Sequence, residues 1–205
     1  MPGRLFLTRD LKEIAAWMGA QTQVLKATPR KNMAPGEEII VCDAHRRLTL
    51  MRWGMIPVGR VNARGRPVME TIINARSETV FDKSAFDGVA RALIPVDGWY
   101  EWTGDKRKKT AWQITRKDGG LIAFAGITDR WEAPGGPVVN QVAAITCEPS
   151  ADVRDIHHRM GVILRADQFD TWLSGSEEAA SALMKPFADG ELAVAEATDV
   201  DWTAP

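Results

Sequence analysis

Glu101 lies in the run Asp97-Gly98-Trp99-Tyr100-Glu101-Trp102, a carboxylate among aromatic side chains on a stretch that reads as a strand. Removing a carboxylate from water raises its pKa and suits it to moving protons near neutral pH. Strict alternation puts Trp99, Glu101 and Thr103 on one face, Tyr100 and Trp102 on the other. An exposed glutamate on a half-buried hairpin fits the same letters. Asn74 and Arg76 follow the apolar pair Ile72-Ile73 and stand two apart, so at a strand end they share a face. The arginine offers a planar fork to phosphate, and the asparagine offers donors to a backbone or a sugar. A helix cap followed by a surface ion pair is the alternative. His157-His158-Arg159-Met160 offers a general acid or base with a cation beside it, or a satisfied loop histidine. Trp53 precedes Gly54-Met55-Ile56-Pro57 and a loop holding Arg60, Arg64 and Arg66. Exposed, it would stack on a base for about 1–3 kcal/mol; buried, it closes a strand.

A metal centre is not indicated. Adjacent histidines point apart, His45 is the only other one, and Cys42 and Cys147 have neither metal nor disulfide spacing. The two thiols read as half-buried apolar groups, and no Cys-His-Asn order surrounds either one. The net charge of −1 conceals an asymmetry. Residues 1–109 carry 19 basic against 12 acidic side chains, a balance of +7, and residues 110–205 carry 7 against 15, a balance of −8. A near-neutral whole does not suit coating of duplex DNA by bulk charge. It allows a local basic groove of the kind that tracks a single strand. Scattered solvated arginines would give the same totals.

The elements that must position these groups are short. The chain's 205 residues suit one domain. A strand is expected over 3–7, then a helix over Leu11–Met18 with Asp10 and Glu13 at capping-box spacing. Residues 29–35 read as a loop. Strands are expected at 39–42, 48–53, 93–96, 99–103, 111–115, 121–127 and 138–146, with a basic hairpin tip at Lys106–Lys109. Residues 71–81 read as an apolar run whose polar end could open a helix. Residues 155–164 read as a loop entering a strand, and 166–173 and 177–187 as amphipathic helices. After Lys185 come five acidic residues and no basic one, a surface wrap or loose tail. The pattern predicts a single α+β domain with a β-rich core of short, mostly antiparallel strands and flanking helices. No apolar run is long enough to span a bilayer and no export signal opens the chain, so a cytoplasmic, monomeric protein is expected.

Taken in order, the motifs resemble those of the SOS response-associated peptidase family of abasic-site processing proteins. The matching pieces are "GRLF" at 3–6, "NMAP" at 32–35, "WGMIP" at 53–57, "INARSET" at 73–79, "LIPVDGWYEW" at 93–102 and "IHHRM" at 156–160. The resemblance covers roughly residues 2–175. It implies binding of single-stranded DNA, or of single-strand/duplex junctions, at an abasic site, without a metal or cofactor. It also implies roles by position. Asn74 would hold the chain terminus and the sugar. Glu101 would shuttle protons, and His157, directly after Ile156, would serve the sugar and its phosphate side. Arg4, Arg76 and Arg159 would meet phosphates, with Met160 and Trp53 shaping the DNA path.

In that family a cysteine at position 2, exposed by loss of Met1, closes a stable thiazolidine on the sugar aldehyde and gives the peptidase its name. This chain has Pro2. Proline supplies the amine and no thiol, so the expectation is a reversible Schiff base, with an α-amine pKa of about 8, and possible lyase action. A module that shields abasic DNA without covalent chemistry is the alternative, as is a cross-linking protein whose cysteine has been replaced. Other departures are Gly161 in place of a proline and Lys31 in place of an aromatic.

Overall fold

The computed structural model describes residues 2–24, 26–57, 64, 71–105, 108–132 and 135–204. Arg60, Arg66, Lys106 and Arg107 lie outside the described residues. The elements run β1 (Arg4–Leu7), α1 (Leu11–Met18), β2 (Gln21–Thr22), β3 (Arg30–Met33), β4 (Glu38–Cys42), β5 (Arg47–Trp53) and β6 (Asn74–Arg76). They continue with β7 (Ala90–Val96), β8 (Gly98–Asp105), β9 (Lys108–Arg116), β10 (Ile122–Glu132), β11 (Val138–Cys147), β12 (Met160–Gly161) and β13 (Ile163–Leu164). The chain closes through α2 (Phe169–Ser174), α3 (Glu177–Ser181) and β14 (Leu192–Glu196). The fold is strand-rich with a few short helices. Among the described residues no helix is long and apolar enough to cross a membrane.

The strands form two sheets. The smaller has the order β14-β9-β8-β1-β3 and the larger β12-β11-β10-β7-β4-β5-β2, with β6 on β11 and β13 on β10. A parallel pairing of β11 with β5 bends the larger sheet back on itself, so that β11-β10-β7-β4-β5 closes into a ring. Most other pairings are antiparallel. Leu5, Trp99 and Ile114 from the small sheet share one core with Trp53, Leu93, Ile94, Phe124 and Ile145 from the large one. Each such side chain, fully buried, stabilises by about 1.5–3 kcal/mol.

Several local expectations give way to tertiary pairing. Residues 29–35 contain β3, which pairs with β1 at Leu5↔Met33 and Leu7↔Arg30; a partner strand overrides a polar, proline-flanked sequence. The polar end of 71–81 opens no helix. It makes β6 and then turns, because Ser77 N–H is captured by Thr146 O at 2.9 Å. The helix expected over 177–187 stops at Ser181, and short backward hydrogen bonds lead on to Pro186. The acidic end is not a loose tail. Its first part is β14, paired with β9 from Leu192↔Arg116 to Glu196↔Trp112.

Gly161 has a packing reason. A Cβ there would lie 2.3 Å from the Phe124 ring, which meets Trp99 edge-on at 5.3 Å. The ring is fully buried and cannot step aside. Gly161→Ala is therefore expected to lower stability by about 1–3 kcal/mol, read as a reduced urea midpoint with an unchanged slope.

Candidate functional site

β1 is an inner strand of the small sheet, with β8 on one side and β3 on the other. Its register against β8 is Arg4↔Tyr100, Leu5↔Trp99 and Phe6↔Gly98, so the chain toward Pro2 runs alongside Glu101 and Trp102. Asp97 secures the other end of β1. Its carboxylate accepts from the Thr8 N–H at 2.6 Å and the Thr8 hydroxyl at 2.7 Å, and its own N–H donates to Phe6 O at 2.9 Å.

Asn74 reaches Pro2 from the other sheet. β6 pairs parallel with β11 at Ala144↔Asn74, Ile145↔Ala75 and Thr146↔Arg76, so Ala75 faces the core and Asn74 and Arg76 face the opposite way. The Asn74 side-chain amide donates to the Pro2 carbonyl at 2.9 Å. Pro2 is buried by its surroundings.

Glu101 sits on β8, 3% exposed, on the face it shares with the fully buried Trp99. Tyr100 and Trp102 occupy the other face, where both meet Trp202. The expected alternation is present. Burial raises the Glu101 pKa above the ordinary carboxylate range, although the Trp99 indole and nearby positive charge work against the rise.

His157 belongs to the turn before β12. Burial first, and then neighbouring charge including His158, pushes its pKa down to about 4, so the ring is neutral at pH 7. The His158 ring stacks on it at 4.3 Å, so the two adjacent histidines lie together and do not point apart as expected. Nδ1 of His157 lies 3.0 Å from the backbone nitrogen and 3.2 Å from the carbonyl oxygen of Arg159, so the backbone of Arg159 fixes the ring's orientation. β12 pairs with the end of β11 at Cys147↔Met160, next to the Thr146 that pairs with Arg76. The histidine turn and the Asn74 strand are thus brought to the same end of β11.

The arginines divide. Arg159 is held at both ends of its fork by the Glu78 carboxylate and also donates to Thr146 O. Its side chain is 12% exposed, and the pair holds Glu78 down to about 2. Arg159 is therefore first a brace between "INARSET" and the histidine turn. Arg4 donates to Asn32 Oδ1 at 2.7 Å. Arg76 is exposed and held by no described side chain, which suits an external anion.

Two expected DNA contacts are corrected. Trp53 is fully buried and donates its indole N–H to Ile73 O at 3.0 Å, so it carries the strand before Asn74 instead of stacking on a base. Met160 is fully buried too, its sulfur accepting from Ser150 N–H at 3.1 Å. One motif begins and the other ends in an apolar side chain that the core claims.

Gln141 escaped the sequence reading. Fully buried on β11, it accepts from Ile56 N–H and donates to Ile56 O, both at 2.9 Å, and so fixes "WGMIP". Its signal was an amide directly before the apolar run Val142–Ile145, where the strand turns inward. The thiols are more deeply buried than expected, and burial pushes Cys42 up to about 11 and Cys147 to about 12. Neither is a ready nucleophile. No group of metal-ligating side chains is found among the described residues.

The Glu78–Arg159 pair sets an acid-side dependence. A carboxylate whose pKa falls from 4.5 to about 2 on folding adds stability that is present above 4.5 and lost as pH falls through 2. Glu78 is half exposed, so solvent screening limits the effect to about 1 kcal/mol. Glu78→Gln is expected to lower neutral-pH stability by that amount and to flatten this part of the acid limb in pH-dependent urea titrations.

Residues 1–200 match the profile of a family described as SOS response associated peptidase. Among curated proteins, the abasic site processing protein YoaM of Bacillus subtilis is 36% identical over 153 residues, 71% of this chain and 66% of that protein. The abasic site processing protein HMCES of Mus musculus is 30% identical over 166 residues, 66% of this chain and 47% of that protein. The chain thus spans about two thirds of the bacterial relative and about half of the vertebrate one. Among solved structures, a protein from Bacteroides thetaiotaomicron superposes with a TM-score of 0.83 at 22% identity, covering 96% of this chain and 92% of the other. One from Bordetella bronchiseptica gives 0.80 at 24%, covering 96% and 99%. At these identities the structures speak for the fold alone.

Proposed function

The chain belongs to the SOS response associated peptidase family, and from that premise we propose that it processes abasic sites in DNA through Pro2. The relatives' names support abasic-site processing as the reaction class. The observation that carries the reading to this chain is the hydrogen bond from Asn74 to the Pro2 carbonyl, which holds the start of the chain beside a buried carboxylate.

The proposed substrate is single-stranded DNA, alone or at a junction with duplex, bearing a ring-opened abasic sugar. With Met1 removed, the Pro2 nitrogen is a secondary amine. It adds to the sugar aldehyde and water leaves, giving an iminium. The positive nitrogen acidifies the adjacent sugar C2 proton. Glu101, whose pKa burial raises, donates a proton to the departing hydroxyl. The resulting carboxylate then takes the C2 proton, and the 3′ phosphate leaves by β-elimination. Neutral His157 serves the sugar oxygen or phosphate on the other side. Arg76 meets the backbone, and Arg159 acts through its brace on the histidine turn. Without a thiol, the iminium has no five-membered ring to close.

Incubation with a single-stranded oligonucleotide carrying one abasic site tests the scheme. A covalent band is expected on a denaturing gel only when borohydride is present, together with strand cleavage in its absence. A stable unreduced band would overturn the role given to Pro2. Retardation on a native gel without either product would leave a DNA-shielding module. Intact mass must show Met1 absent, because a retained Met1 removes the amine.

Two substitutions sharpen the assignment. Pro2→Cys is expected to give the stable band without reductant. Glu101→Gln cannot cycle a proton, and the trapping rate should fall about 100-fold with native DNA retardation unchanged.

A further inference from the structure

A cavity lies at the far end of β1 from Pro2, in the wedge where the chain crosses from the small sheet to the large one. Its volume is about 350 Å³. Leu7 of β1, Met33 of β3, Ile39 and Ile40 of β4 and Leu50 of β5 give it an aliphatic lining. The first four are buried and form its floor, whereas Leu50 is 42% exposed and forms an apolar lip. At about 3.3 Å per residue, β1 carries Leu7 roughly 16 Å from Pro2, so this cavity is separate from the site described above.

The wall beside the lip is Lys26, Ala27 and Thr28. These three residues belong to no strand, and their backbone groups bond to no described backbone group. Lys26 and Thr28 are exposed. Backbone donors and acceptors left open in this way pair with an added extended chain, whose alternate side chains then reach a neighbouring pocket. The charge of the lining is uneven. Arg30 is engaged by Glu37 at 2.7 Å and by the Glu38 carbonyl at 3.0 Å, and Arg9 by Asp97 at 3.2 Å and by Glu13. Lys26 makes no ion pair with a described residue. Three cations, Arg9, Lys26 and Arg30, thus line the cavity against two carboxylates, Glu37 and Glu38, a balance of +1. No aromatic ring lines it, so a nucleic-acid base would find no stacking platform.

We propose that this cavity docks a partner protein through an extended acidic peptide. One large apolar side chain of the peptide enters between Leu50 and the floor. The peptide backbone pairs along residues 26–28, and an acidic side chain meets Lys26. The site stands apart from the abasic-site reading, and its distance from Pro2 lets a partner and DNA be held together.

Fluorescence anisotropy on the full chain tests it. The probe is a labelled peptide with one central leucine flanked by aspartates and serines, and saturable binding is expected. Replacing its leucine by serine, or N-methylating alternate backbone nitrogens, should each weaken binding about tenfold, and both changes leave the protein untouched. Leu50→Asp should weaken it about tenfold as well. Lys26→Glu should weaken it about fivefold, with the difference vanishing in about 1 M salt. An unchanged near-ultraviolet circular dichroism spectrum shows that either variant is folded. No binding, equal binding of the serine peptide, or tighter binding of a peptide with lysines in place of aspartates overturns the docking site. Displacement of the peptide by oligothymidylate would give the cavity to nucleic acid, and self-association blocked by the peptide would give it to a second copy; either overturns the proposal. None of these outcomes touches the reading of Pro2, which borohydride trapping decides alone.

Discussion

The proposed site depends on holding the first residues of this chain still. Termini ordinarily fray, because nothing offsets the entropy of ordering them. Here β1 is hydrogen-bonded along both edges, and Leu5 and Leu7 are buried in the common core. A slip of one residue would turn Leu5 outward and Arg4 inward, which core packing forbids. That register fixes where Pro2 lies, and the Asn74 amide completes the arrangement by joining the small sheet to the strand on β11.

Around that fixed point, burial acts oppositely on an acid and a base with one outcome. It raises the pKa of Glu101 and lowers that of His157, so each is driven toward its neutral form. Charge is supplied separately. Arg159 is neutralised by Glu78 and stiffens the turn that carries His157, whereas Arg76 on the same motif strand faces outward. Two arginines in neighbouring family motifs therefore do different jobs, and the difference lies in whether a carboxylate is within reach.

Much of this was legible beforehand. The Trp99/Glu101 and Tyr100/Trp102 split follows from the two-residue period of a strand, a local property. So does the shared face of Asn74 and Arg76. Trp53 and Met160 were not legible, because a tryptophan or methionine at a motif end suits a stacking surface and a core equally well. Which one holds depends on strands distant in sequence. Gln141, β3 and the C-terminal segment were hidden for the same reason, since their partners Ile56, β1 and Asn32 lie far away in the chain.

The sequence by itself determined the family, the strand-rich class and the residue at position 2, a proline, which has no thiol. Those are matters of residue type and order. Only the tertiary structure decided that Pro2 is tethered by Asn74, that Arg159 is a brace and Arg76 is open, and that Trp202 covers Tyr100 and Trp102. Each of those depends on bringing together groups tens of residues apart. The energies that do so, burial of apolar faces and pairing of strand edges, belong to the folded whole and to no local stretch of it.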